Sequence, residues 1–319
     1  MLADVIIVRQ FQMPVPLAIL RECVVSNSQL SCYNPKAYQR KGTKDLSIFT
    51  VDQDKCKRDG ICVSECPVRI IELKDKSSLP ELTPGGAELC INCGHCVAVC
   101  PHGAMSLKTM PLEQLPLMDP AILPTQRQID HFLRSRRSIR VYKDKPVERE
   151  TLASLIDVVR YAPSGHNYQP VHWLVIQGRD EIKRLSGIVI DWMRLMIAAE
   201  WPVAQEMHFD QAVHAWENGV DRVLRDAPHL IVAHGPAGLK HVQSACTIAL
   251  AYLELAAYSF GLGACWAGYF NAAANSHKPM QQALSLPENH QCYGAMMVGY
   301  AKNKYHRLPL RNEAKIEWR

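Results

Sequence analysis

Seven of the 12 cysteines in this 319-residue chain fall between positions 56 and 100, a density that suits metal ligation better than a disulfide framework. The later motif reads Cys90-x2-Cys93-x2-Cys96-x3-Cys100-Pro101. Three thiolates in so tight a loop reach three corners of one iron–sulfur cubane, and the fourth, starting a helical turn, points at another cluster. Gly94 lets backbone amides crowd the sulfides with no Cβ in the way. Structural zinc also takes four thiolates, but usually from paired Cys-x2-Cys knuckles and not from a run that ends in Cys-Pro.

The earlier motif, Cys56-x5-Cys62-x3-Cys66-Pro67, matches the later one if Asp59 takes the place of the second cysteine. Two readings of Asp59 stand side by side. As a ligand, its carboxylate binds the fourth iron weakly or lets it go, leaving a three-iron cluster. As a bystander, it is a solvated loop residue before Gly60. The paired motifs resemble the dicluster ferredoxins. That resemblance implies crossed ligation. One cluster is held by Cys56, Cys62 and Cys100 with Asp59 at the fourth corner, the other by Cys66, Cys90, Cys93 and Cys96. Cys23, Cys32, Cys246, Cys265 and Cys292 lie outside the motifs and receive no role.

A second constellation follows. Arg136-Arg137-Ser138-Ile139-Arg140 puts three guanidiniums within five residues, a geometry that suits a terminal phosphate held by bidentate arginines and a hydroxyl. Ala162-Pro163-Ser164-Gly165-His166-Asn167-Tyr168-Gln169-Pro170 reads as a turn whose amides and Asn side chain can contact polar atoms of a ring or sugar. Gly261-Leu262-Gly263-Ala264-Cys265-Trp266-Ala267-Gly268 is not the G-x-G-x-x-G fingerprint, but its glycines allow close approach to a flat ligand. Arg307-Leu308-Pro309-Leu310-Arg311 adds two cations near the C-terminus.

In this order the four segments resemble the nitroreductase family of FMN enzymes. The resemblance implies that Arg136, Arg137, Ser138 and Arg140 hold the ribityl phosphate with Arg311 and Arg307, and that Pro163, Ser164 and Asn167 line the ring and ribityl chain. Ala267 and Gly268 would offer backbone groups near the reactive ring nitrogen. It implies a homodimer with FMN at the interface, and hydride delivery from the flavin without an acid–base triad. His208, His214, His229 and His234 accordingly read as packed or surface residues, and Trp192, Trp201 and Trp216 as core or pocket lid.

The elements that position these residues follow from composition and period. Residues 1–45 show no sustained period and read as a poorly ordered or peripheral extension, with a natural start near Leu46 as one hypothesis. Residues 46–108 form a βα-repeat dicluster unit, each half a cysteine motif followed by a short apolar run, with residues 77–86 as a turn between them. Pro111, Pro116, Pro120 and Pro124 make 109–125 a semi-rigid linker. Residues 126–319 form an α+β domain, a mixed sheet with flanking helices. A helix is expected over 151–160, a helix buried nearly all round over 246–260, and strands over 171–177, 230–233 and 293–298.

The bulk numbers exclude some classes. A net charge of +5 without a basic stripe argues against nucleic acid. The longest apolar stretch, 245–260, carries Glu254 and is shorter than the roughly 20 residues a bilayer needs. No signal peptide is readable, which points to a cytoplasmic setting. The expectation is an FMN-dependent oxidoreductase that takes electrons from reduced ferredoxin or NAD(P)H through two iron–sulfur clusters. Its acceptor would be a small electrophile: a nitro compound, quinone or activated alkene. The alternative is an electron-relay or redox-sensing protein that serves a partner.

Overall fold

The computed structural model describes residues 48–319. Expectations for the extension and its start lie outside those residues. The described residues fall within one compact unit.

In the cysteine-rich part, strands β1 (Phe49–Val51), β2 (Ile71–Glu72), β3 (Glu81–Leu82) and β4 (Met105–Leu107) form two small ribbons. β1 pairs antiparallel with β4, setting Phe49 opposite Leu107, and β2 pairs with β3. The first and last strands of the internal repeat thus close on each other. Phe49, Ile70, Ile71, Val97, Met105 and Leu107 pack with Cys62 and Cys66 into the core of this part. The stretch 77–86 is more than the expected turn, because β3 lies inside it. A two-residue strand has no period to detect, and pairing with β2 alone defines it.

Two of the linker prolines, Pro111 and Pro120, start single 3-10 turns, Leu112–Gln114 and Pro120–Ile122. Thr125 and Gln128 then close a capping box on the helix Gln126–Ser135. No residue of that helix is buried, and it delivers the chain directly to Arg136.

The larger part is built on β5 (His172–Gln177), β6 (His229–Pro236), β7 (Gly263–Trp266) and β8 (His290–Gly299), in the order β5-β6-β8-β7. The α+β class stands, but every pairing among the described residues is antiparallel where a mixed sheet was expected. The reason is topological. β6 and β7 run the same way and are joined by the helix Lys240–Ser259, but β8 inserts between them and is antiparallel to both. Along β6 the side chains alternate between two cores. Leu230 and Val232 meet the helix Arg179–Ala198 through Ile182 and Leu185, while Ile231 and Ala233 meet Lys240–Ser259 through Cys246 and Leu250.

The expected helices and strands all appear, with longer bounds for several. The helix Lys240–Ser259 corrects one reading: Ile248, Tyr252 and Tyr258 are exposed, so it is buried on one side only. Trp192 and Met193 are buried in the core. No helix among the described residues is long and apolar enough to cross a membrane.

Candidate active site

The seven clustered cysteines and Asp59 separate into two groups. Cys66, Cys90, Cys93 and Cys96 line one hollow, with Pro67, Ile91 and Gly94 beside them. Cys56, Asp59, Cys62 and Cys100 line another, with His102 and Pro80. Each group draws on both halves of the repeat, because Cys66 joins the later motif and Cys100 the earlier.

The same division appears in the electrostatics. Burial, then Cys100, Cys56 and Asp59, raise the pKa of Cys62. Burial, then Cys90, Cys93 and Cys66, push Cys96 up to about 11. Thiols gathered this way resist ionising unless a cationic centre compensates them, which fits an iron–sulfur cluster in each hollow. No group of three or more His, Cys, Asp or Glu among the described residues is arranged to hold a single metal ion.

Local backbone geometry sets these loops. Gly94 has φ 77° and precedes the short helix His95–Ala98; a Cβ there would lie 3.0 Å from Met110 Sδ as well as strain the turn. Asn92 N and Ala104 N donate to Cys90 Sγ and Cys100 Sγ, both at 3.4 Å. Asp59 Oδ1 accepts from Ile61 N at 3.1 Å, and Oδ2 lies 3.6 Å from His102 Nε2.

The arginine segment runs beside β7. Ile139 N donates to Ala264 O, Tyr142 Oη donates to Ile139 O, and Lys143 N donates to Tyr300 O, which fastens residues 139–143 along the sheet's end. Arg136 Nη1 is paired with Glu254 Oε1 at 2.7 Å and is not a free cation. Arg137 Nη2 donates to Arg134 O, whereas its Nε is buried with no hydrogen-bond partner. A buried guanidinium nitrogen without an acceptor fits an anionic group such as a phosphate. Arg140 is exposed, with Nη1 3.4 Å from Ser138 O.

Burial raises the pKa of Cys265, and Arg140 and Arg225 oppose it, so these cations stand near one thiol. Arg225 was not singled out in the sequence. It is one of two consecutive left-handed residues, Arg225 and Asp226, and no motif marks that conformation.

Other expected site residues are placed less uniformly. The Ala267 amide donates to Ala295 O, so it is spent on the sheet. Gly268 opens the helix Gly268–Ser276, where its N–H has no intrahelical partner. Pro163 is exposed, and Ser164 Oγ accepts from Gln169 N at 2.9 Å. Asn167 Nδ2 donates to Asn92 O at 2.8 Å and lies 3.3 Å from Ile91 O, in the cysteine-rich part. Arg307 and Arg311 lie on an exposed C-terminal stretch, 303–319, that contains no helix or strand. No ion pair or hydrogen bond among the described residues brings them to residues 136–140.

The histidines separate by burial. His208 and His214 are exposed, and His229 is buried with Nε2 accepting from Val147 N at 2.7 Å. His234 is 6% exposed, and its Nδ1 stands 2.9 Å from His290 Nδ1 beside the ring of His172. Burial, then His290 and His172, push His234 down to about 4 from 6.5. Between those values the unfolded chain binds the proton and the folded chain does not. This contribution to stability is therefore full above pH 6.5, falls on acidification, and changes no further below about 4. Urea unfolding at several pH values should show a smaller acid-side loss for His234→Gln than for wild type; equal losses would refute the assignment.

A profile of the nitroreductase family matches residues 133–300, and one of the 4Fe-4S dicluster domain matches residues 54–105. The nitrobenzene nitroreductase of Ectopseudomonas oleovorans is 25% identical over 208 residues, 57% of this chain and 90% of that protein. The 5,6-dimethylbenzimidazole synthase of Rhodospirillum rubrum is 24% identical over 215 residues, 64% of this chain and 93% of that protein. Among solved structures, a nitroreductase with bound FMN from Bacteroides fragilis aligns with a TM-score of 0.47 at 21% identity, covering 59% of this chain and 99% of that one. With more than half its length matched, the chain belongs to the nitroreductase family, and it carries a 4Fe-4S dicluster domain ahead of the nitroreductase domain.

Proposed function

We propose that the protein is a cytoplasmic, homodimeric oxidoreductase that takes single electrons from reduced ferredoxin or NAD(P)H through two iron–sulfur clusters and uses FMN to reduce a small electrophilic organic acceptor. Nitro compounds, quinones and activated alkenes are the acceptor classes. The observation that carries the reading is the presence of two hollows, each ringed by four candidate ligands, in the same compact unit as a nitroreductase domain. FMN, when bound, converts single-electron input into hydride output.

The chain's own residues hold and orient. Arg137, Ser138 and Arg140 bind the phosphate, and Glu254 fixes Arg136 beside them. The Gly268 amide is the backbone donor left for the ring, since that of Ala267 is used by the sheet. Pro163 and Ser164 border the flavin's edge. Arg307 and Arg311, on an exposed stretch, fit a dimer in which they reach the other subunit's phosphate. Cys56, Cys62 and Cys100 with Asp59 hold one cluster, and Cys66, Cys90, Cys93 and Cys96 the other. Clustered thiols of this kind need the reducing conditions of a cytoplasm.

Heat release and chromatography of the bound flavin should yield FMN; FAD as the main species would overturn the phosphate assignment. Arg140→Ala should weaken FMN binding by about 1.5–3 kcal/mol, the weight of one hydrogen bond to a charged group. Unchanged affinity would remove Arg140 from the site. Anaerobic turnover with NADH, NADPH and reduced ferredoxin against an acceptor panel tests the activity. Absence of multiple turnover with every acceptor would favour the electron-relay reading.

A further inference from the structure

The turn at 164–169 is held in a conformation that its residues do not prefer. His166, Asn167 and Gln169 all have left-handed backbones, with φ of 51°, 54° and 48°, and none is glycine. Such a turn persists only when its surroundings over-determine it. Here Asn167 N donates to Ser164 O, Gln169 N donates to Ser164 Oγ, and Gln169 Nε2 donates to Asn167 Oδ1 at 3.1 Å. These bonds orient the Asn167 side chain, and its remaining group, Nδ2, reaches 75 residues back along the chain to Asn92 O.

The gripped loop is a particular one. Ile91 and Asn92 lie between Cys90 and Cys93, and the Asn92 amide is bonded to Cys90 Sγ. Both carbonyls can only accept, so they fix which end of the Asn167 amide faces them. The residues lining either hollow all lie within 48–107, so the bond from Asn167 reaches the Cys90–Cys93 loop from outside that part.

We infer that Asn167 is a positioning residue that docks the loop between Cys90 and Cys93 on the nitroreductase domain, so that electrons pass to the flavin from the Cys66, Cys90, Cys93 and Cys96 cluster across this contact. The inference rests on the proposed function, in which both clusters and FMN are bound. Each event oxidises that cluster by one electron and delivers it to the flavin. The electron comes from a one-electron donor of the reduced-ferredoxin class, and two events, with proton uptake from solvent, complete flavin reduction.

The test uses the full-length holoprotein and two variants, Asn167→Ala and the isosteric Asn167→Asp, which sets a carboxylate against two carbonyl oxygens. Anaerobic rapid mixing with reduced ferredoxin follows cluster bleaching and flavin bleaching separately. Flavin bleaching should slow on the order of tenfold in both variants, the weight of a hydrogen bond in the docked population. FMN content, iron content, cluster bleaching and reoxidation of chemically reduced flavin by acceptor should stay at wild-type values. Hydrogen exchange at the Asn92 and Cys93 amides should quicken. Wild-type flavin bleaching in both variants would overturn the inference. So would variants that purify without FMN, since Asn167 would then be a flavin ligand. Wild-type protein whose clusters bleach but whose flavin never follows would defeat the proposed function itself, a result seen before any variant is made.

Discussion

Gly263→Ala is expected to destabilise the nitroreductase domain by about 1–3 kcal/mol, the usual cost of overpacking a filled site, and to lower its flavin content. A Cβ at position 263 would lie 2.3 Å from Ile139 Cγ1 and 2.7 Å from Ile139 Cβ. Ile139 cannot easily turn aside. It is β-branched, it packs against the larger core, and its amide is bonded to Ala264 O on the very next residue of β7. The segment carrying Ser138 and Arg140 must therefore move away from the strand, and the phosphate donors move with it. Urea unfolding and the ratio of flavin to protein measure both effects. Iron content should stay constant, because the cysteine loops do not touch this contact. Pairing Gly263→Ala with Ile139→Ala should recover part of the loss. A single variant with wild-type stability and flavin content would show that the close approach is not required.

Asp59→Cys is expected to abolish a lability built into one cluster. The carboxylate lines the hollow that holds Cys56, Cys62 and Cys100, and its two oxygens also face Ile61 N and His102 Nε2. A carboxylate is a harder and weaker ligand for iron than a thiolate. Air should therefore convert this cluster to a three-iron form visible by EPR and leave the four-thiolate cluster intact. Asp59→Cys restores the motif of the later half and should suppress the conversion. If the variant converts as readily as wild type, Asp59 is a bystander. Zinc as the sole metal after anaerobic purification would remove the clusters from the mechanism but leave the flavin site, whose residues lie outside the cysteine repeat.

What could be read from the sequence was local. The spacing from Cys56 to Cys100 carries its own geometry, and so do the turn at 163–170 and the periods of the longer helices. Long-range pairings could not be read. Nothing near Asn167 announces a bond to Asn92, and nothing near Arg136 announces Glu254, 118 positions away. The antiparallel character of the sheet depends on where β8 inserts, a property of the whole domain. β3 exists because β2 is beside it. The stretch 246–260 read as a buried helix because Ile248, Ala251, Tyr252 and Tyr258 are apolar and yet exposed, so hydropathy alone could not show which side faces outward.

The place of β8 between β6 and β7 also orders the protein's own making. The dicluster part is closed by β4, whose last residue is Leu107, so its core can form while most of the chain is still being translated. The larger sheet cannot. Until residues 290–299 have left the ribosome, β6 and β7 each present an edge with unpaired amides and carbonyls, and Pro228 and Tyr142 lack the surface they pack on. The nascent chain thus has an interval in which the dicluster part can be complete while the larger sheet is still an open template for wrong pairing. A stop codon shortly before His290 would leave that state permanent.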